Sequence, residues 1–179
     1  LSSAISAYGE PSFSSGKEEV KTEEKQNPIN RNKYHLITKP EEIDNWIKEA
    51  EEVGEVAVDT ETSSLDPHQA DLIGISLSSK IGKACYIPVG HKSDKCIDKN
   101  LVLGKLKPLL EDSSVKKIGQ NIKFDFIVLF NQGIELNSME DTMLMSYALD
   151  AGKNRHNMDT LSEIHLDHKP IAFKDLVGS

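Results

Sequence analysis

At 179 residues the chain has room for one ordinary domain and some excess. Its 29 acidic and 21 basic residues leave a formal charge of −8, which argues against a domain that grips duplex nucleic acid by charge alone. A carboxylate cluster that meets phosphate through bound cations stays compatible with that charge. Apolar residues make up 37% of the chain, enough for a core. They are spread unevenly. Residues 1–33 hold one apolar cluster around Ile5 and Tyr8 and are otherwise rich in Ser, Gly, Glu and Lys. Such a stretch cannot bury enough surface to offset its ordering entropy, so it reads as a polar linker or tail, with the folded domain at 34–179. No apolar run is long enough to cross a bilayer and no signal pattern opens the chain, so the expected location is intracellular. Cys85 and Cys96 are too few for a disulfide framework and receive no role. The chain opens at Leu1 rather than Met, which fits a piece of something longer.

In chain order, Tyr34 to Thr38 alternates like a short strand, and Lys39-Pro40 opens a helix with Ile43, Trp46, Ile47 and Ala50 at helical spacing. Gly54 ends it. Glu55 to Thr62, Leu72 to Ser78 and Ala84 to Val89 read as strands separated by Gly and Ser, close enough for consecutive antiparallel hairpins. Residues 100–111 form an amphipathic helix, Val115 to Gly119 a strand, and Ile122 to Asn131 a helix closed by a Gln132-Gly133 turn. Ile134 to Leu136 reads as a brief extended segment. Thr142 to Leu149 and Leu161 to Leu166 read as helices. Strands first and strand–helix alternation later give a mixed α/β domain with helices flanking a central sheet; the ribonuclease H-like arrangement is one such architecture.

On the second strand Val56, Val58 and Thr60 share one face while Ala57, Asp59 and Glu61 share the other. Two like charges on a strand that otherwise looks buried are costly unless something positive answers them. The strand holds no Lys or Arg, and hard oxygen ligands suit Mg²⁺ or Mn²⁺. The bland alternative ends the strand in solvent, with Asp59 and Glu61 as surface charges or caps. Further on, Asn121 and Asp125 are four residues apart, on one face if both are helical. Taken alone, they read more readily as an N-cap and a first-turn carboxylate.

Asp59-Thr60-Glu61-Thr62-Ser63-Ser64-Leu65-Asp66 resembles the first exonuclease motif of polymerase I-type proofreading domains, and Gly119-Gln120-Asn121-Ile122-Lys123-Phe124-Asp125 resembles the second. Asp141-Thr142-Met143-Leu144-Met145-Ser146-Tyr147 and Arg155-His156-Asn157-Met158-Asp159-Thr160-Leu161 resemble two further segments of that family. The likeness spans Tyr34 to Val177. It implies a ribonuclease H-like fold and two-metal removal of nucleotides from single-stranded 3′ ends of DNA, with two Mg²⁺ or Mn²⁺ ions. By the same resemblance Asp59, Glu61 and Asp125 are the metal-holding catalytic carboxylates. Thr60, Leu65, Gln120, Asn121, Arg155 and Phe173 are the expected substrate contacts, while Met143, Leu144 and Leu161 read as core. A linked polymerase domain, a preceding 5′-nuclease domain and a cytoplasmic location at the nucleoid are implied as well, and a monomer is the default expectation.

The family also needs a fourth carboxylate in a Tyr-x-x-x-Asp motif. The residues four after Tyr8, Tyr34, Tyr86 and Tyr147 are Ser12, Thr38, Gly90 and Ala151, and no His is followed by Asp at that distance. The expectation is a domain truncated before that motif, which binds metal weakly and cleaves poorly by itself. Two other readings stay open: an RNA-trimming exonuclease of the ribonuclease D type, and a non-catalytic scaffold domain within a polymerase.

Overall fold

The computed structural model describes residues 33–92 and 95–171. Strand β1 (Tyr34–Leu36) leads into α1 (Pro40–Val53), followed by β2 (Glu55–Thr62), β3 (Leu72–Lys80) and β4 (Lys83–Pro88). Helix α2 (Lys99–Glu111), β5 (Lys116–Gly119), α3 (Lys123–Asn131), β6 (Met139–Asp141), α4 (Thr142–Asp150) and α5 (Met158–Leu166) complete it. The strands form one sheet in the order β1-β4-β3-β2-β5-β6. As expected from the short connections, β2–β3 and β3–β4 are antiparallel, whereas β1–β4, β2–β5 and β5–β6 are parallel. The result is the mixed α/β sheet with flanking helices that the sequence pattern implied.

Local chemistry explains the boundaries near the site. Pro40 sits at the start of α1, where its missing N–H costs no helical bond, and Gly54 at φ 80° ends the helix by donating its N–H to Ala50 O. Ile43, Trp46 and Ala50 of α1 and Val102, Leu106 and Leu110 of α2 bury against Val56 and Val58 of β2 in one core. Each buried Val, Leu or Ile among them contributes about 1.5–3 kcal/mol relative to exposure. Lys117 on β5 is fully buried, and its ammonium donates to the carbonyls of Val115 (2.6 Å) and Asp112. That long stem fills core space while the head closes the loop between α2 and β5.

Three expectations change. The extended segment at Ile134 to Leu136 is irregular, and the strand after α3 lies at Met139–Asp141. Ile134 and Leu136 are nonetheless buried, so their hydrophobicity reports core packing rather than sheet pairing. Strand β2 is also not buried on both sides: Val56, Val58 and Thr60 are inside, while Ala57, Asp59 and Glu61 are exposed. Leu144, expected in the core, is 60% exposed, and neither α4 nor α5 has a buried side chain. Helical spacing of apolar residues marks a face but does not say which element covers it.

Candidate active site

The open face of β2 carries the first two carboxylates. Asp59 lies opposite Ser76 and Glu61 opposite Gly74 on β3, and a β-bulge follows Glu61, where the next pair is Thr62 with Leu72. The bulge leaves Ile73 without a partner across β2, and it sharpens the local twist just beyond Glu61. Asp59 reaches solvent, yet the protein around it displaces enough water to push its carboxyl up to about 6, helped by the charges of Asp125 and then Glu61. Among the described residues no Lys or Arg forms an ion pair with Asp59, Glu61 or Asp125.

Asp125 arrives from the neighbouring strand's continuation. Strand β5 pairs with β2 only as far as Ile118 opposite Ala57, so the β2 edge beyond is free. The chain turns into α3, and Asp125 in its first turn plugs that edge. Its Oδ1 accepts from the Thr60 N–H at 2.8 Å and from the Thr60 hydroxyl at 2.7 Å. Asp125 is 3% exposed. Burial holds its carboxyl above the ordinary range, and the two Thr60 bonds pull it partly back down. The two motifs, 65 residues apart, are therefore joined by a direct hydrogen-bonded contact.

Asn121 corrects the helical reading. It is not an N-cap and does not share a helix face with Asp125. It sits in the turn before α3 at φ 58°, a left-handed conformation that Asn tolerates better than most residues. Its side chain makes no protein hydrogen bond among the described residues and stays available. Gln120 and Thr60, expected at the substrate, are committed elsewhere. The Gln120 amide donates to His156 O at 2.7 Å and accepts from the Thr142 hydroxyl at 2.5 Å, while the Thr60 hydroxyl is spent on Asp125. Gln120 thereby tethers the segment that carries Arg155, itself exposed, to the α3 turn. Leu65 is 97% exposed on the loop after β2, a loop closed by Ser63–Asp71 hydrogen bonds. Phe173 lies outside the described residues.

Sequence reasoning missed a second feature on the same face. Tyr86 of β4 is opposite Ser76, which is opposite Asp59, so all three share the carboxylate face. The Tyr86 ring lies across Gly74, where an added Cβ would fall 1.9 Å from the phenol oxygen. Its hydroxyl bonds His91 Nε2 at 2.5 Å, and partial burial and the nearby Glu61 charge both hold the phenol above its usual range. A Gly within a strand pattern was the available signal, since such a residue often marks close approach of another group.

As the side chains stand, no group of three His, Cys, Asp or Glu among the described residues is arranged to hold a metal ion. The donor chemistry still fits one: the charges of Asp125 and Glu61 both bear on Asp59, and carboxylate oxygens suit a hard divalent cation.

Comparison with solved structures places this architecture. The magnesium-bound Brucella melitensis NrnC is 28% identical with a TM-score of 0.59, over 78% of this chain and 63% of that one. The catalytic core of RRP6 from Trypanosoma brucei, at 13% identity, shares the fold alone, with a TM-score of 0.65 over 81% of this chain and 38% of that one. The class is thus the ribonuclease H-like exonuclease fold. Within it, the 3′–5′ exonuclease family model of type A DNA polymerases matches residues 34–179, and the chain belongs to that family. The DNA polymerase I of Rhizobium leguminosarum is 43% identical over 173 residues, 85% of this chain and 17% of that protein. That of Pseudomonas aeruginosa is 41% identical over 151 residues, 81% of this chain and 16% of that protein. The chain therefore spans about one sixth of the length of these curated relatives. Among the described residues no helix is long and apolar enough to cross a membrane.

Proposed function

We propose that this chain is the proofreading part of a polymerase I-type enzyme, removing mispaired 3′-terminal nucleotides from single-stranded DNA ends. The carrying observation is the pairing of Asp59 and Glu61 on the open face of β2 with Asp125, seated on the same strand through Thr60. Asp59, Glu61 and Asp125 would hold two divalent ions, Mg²⁺ or Mn²⁺. When bound, such ions supply an activated water and a counter-charge for the leaving oxygen.

The chain's own groups do the rest. Thr60 fixes the Asp125 carboxylate through both of its donors. Asp59 stays partly protonated near pH 6 without a cation, so ion binding displaces a proton from it. Leu65 offers an exposed apolar surface for a base, the Asn121 amide is free to bond the terminal nucleotide, and Arg155 stands exposed for a phosphate. Residues 1–33 serve as a tether to a 5′-nuclease domain, and a polymerase domain follows in the parent protein, which acts as a monomer at the nucleoid.

The chain alone holds three of the four carboxylates that the family resemblance implies, so by itself it binds ions weakly and cleaves slowly. The test uses 5′-labelled single-stranded DNA and RNA with Mg²⁺, comparing this chain with the full polymerase and its Asp59→Ala variant. Stepwise DNA shortening by the polymerase, lost in the variant and nearly absent from the chain alone, is expected. Full activity from the chain alone overturns the incomplete-site reading. A preference for RNA ends points to an RNA-trimming enzyme, and an inert polymerase leaves a scaffold.

A further inference from the structure

We propose that Asp141 is a positioning residue for the site: it sets where α3 begins, and thereby where the Asp125 carboxylate meets β2. The inference deepens the reading above and rests on it for its catalytic meaning.

Asp141 is the last residue of β6 and is paired with Gly119, the last residue of β5. Its side chain is 8% exposed and accepts from four backbone N–H groups. Oδ1 takes Met143 N at 2.9 Å and Leu144 N at 3.4 Å, the opening amides of α4. The same oxygen takes Asn121 N at 3.0 Å, and Oδ2 takes Ile122 N at 3.1 Å, in the turn that opens α3. Two helix starts, each with unpaired amides and a positive dipole end, converge on one buried carboxylate.

Capping α4 needs only the bonds to Met143 and Leu144. The two bonds to the α3 turn are surplus to that task, and they fall where the backbone is hardest to hold. Asn121 has φ 58°, and a Cβ on Gly119 would sit 2.8 Å from Ile122 Cγ1, so the chain folds back on itself tightly here. Asp125 follows Ile122 within the first helical turn. Helix α3 is therefore pinned at both sides of that turn, by Asp141 at its start and by Thr60 at Asp125. Releasing the first pin lets the second slip.

The test separates capping from positioning. Asp141→Ser keeps a good N-cap for α4 but is too short to reach Asn121 and Ile122. Asp141→Asn keeps the shape but leaves one oxygen for four donors. Asp98→Ala, which removes the cap that accepts Leu101 N on α2, serves as a control for stability loss away from the site. Amide exchange and chemical shift are read by NMR at Asn121, Ile122 and Thr60, and Mn²⁺ affinity by calorimetry. In the unaltered protein the Asn121 and Ile122 amides are expected to be protected. In both Asp141 variants the Thr60 amide should lose protection and shift, with Mn²⁺ binding weakened about 10- to 100-fold, while Asp98→Ala changes neither. Unprotected amides in the unaltered protein, or a Thr60 amide that ignores Asp141→Ser, overturn the proposal. If Thr60 responds but the unaltered protein binds no Mn²⁺, the positioning stands and the metal reading falls.

Discussion

Replacing Thr60 by Val tests whether the link between the two motifs is energetic as well as geometric. The swap keeps the β-branched shape and the backbone N–H bond to Asp125 at 2.8 Å, and deletes the hydroxyl bond at 2.7 Å. A hydrogen bond to a charged group contributes about 1.5–3 kcal/mol, and Asp125 is too buried for water to replace the lost donor freely. A loss of about 2 kcal/mol at neutral pH is expected, seen as a fall of about 1 M in the urea midpoint with an unchanged slope. The loss should depend on pH. Burial already raises the Asp125 carboxyl, and the Thr60 bonds oppose that rise. Removing one raises it further. A carboxyl whose folded pKa lies above its unfolded value costs stability when ionised, and that cost fades as pH falls through the folded value. The difference between variant and parent should therefore be largest near neutrality and shrink in acid. A loss under about 0.5 kcal/mol, or one equal at both pH values, refutes the reasoning.

Other outcomes follow from the same geometry. Gly74→Ala forces the Tyr86 ring off β3, costing about 1–3 kcal/mol, and combining it with Tyr86→Ala should cost less than the sum; strict additivity in urea melts contradicts the close approach. Leu65→Ala, at a fully open position, should leave stability within about 0.5 kcal/mol. Its affinity for single-stranded DNA should fall about fivefold if that leucine supports a base, and unchanged affinity removes it from the interface. Because Asp59 is pushed up to about 6, Mn²⁺ binding at that pH should release a proton, so calorimetric heats should vary with buffer ionisation enthalpy. Heats independent of buffer would mean Asp59 is not displaced by the ion.

The sequence revealed the strands, the helices and the carboxylate pair because these depend on local periodicity and on motif spacing. Val56, Val58 and Thr60 do alternate with Asp59 and Glu61. It did not reveal that Asn121 leaves the helix, because a left-handed Asn and an N-cap Asn are written with the same letter. Nor did it show that Thr60 and Gln120 spend their polar atoms on Asp125, Thr142 and His156, since those partners lie from 22 to 65 residues away in sequence. Leu144 misled for a related reason: an apolar face says what a helix can bury, not what lies against it. Tyr86 joined the site through cross-strand register, which a strand-by-strand reading does not contain.

The most direct test of the central claim is a Mn²⁺ titration of this chain beside its Asp59→Ala and Asp125→Asn variants, followed by calorimetry near neutral pH. Saturable, weak binding that is lost in both variants is the expected result, because the charges of Asp125 and Glu61 bear on Asp59 and a shared ion would relieve them. Binding that survives both substitutions would place any ion elsewhere, and no binding by the unaltered chain would leave Asp59, Glu61 and Asp125 as charges without a cation to hold.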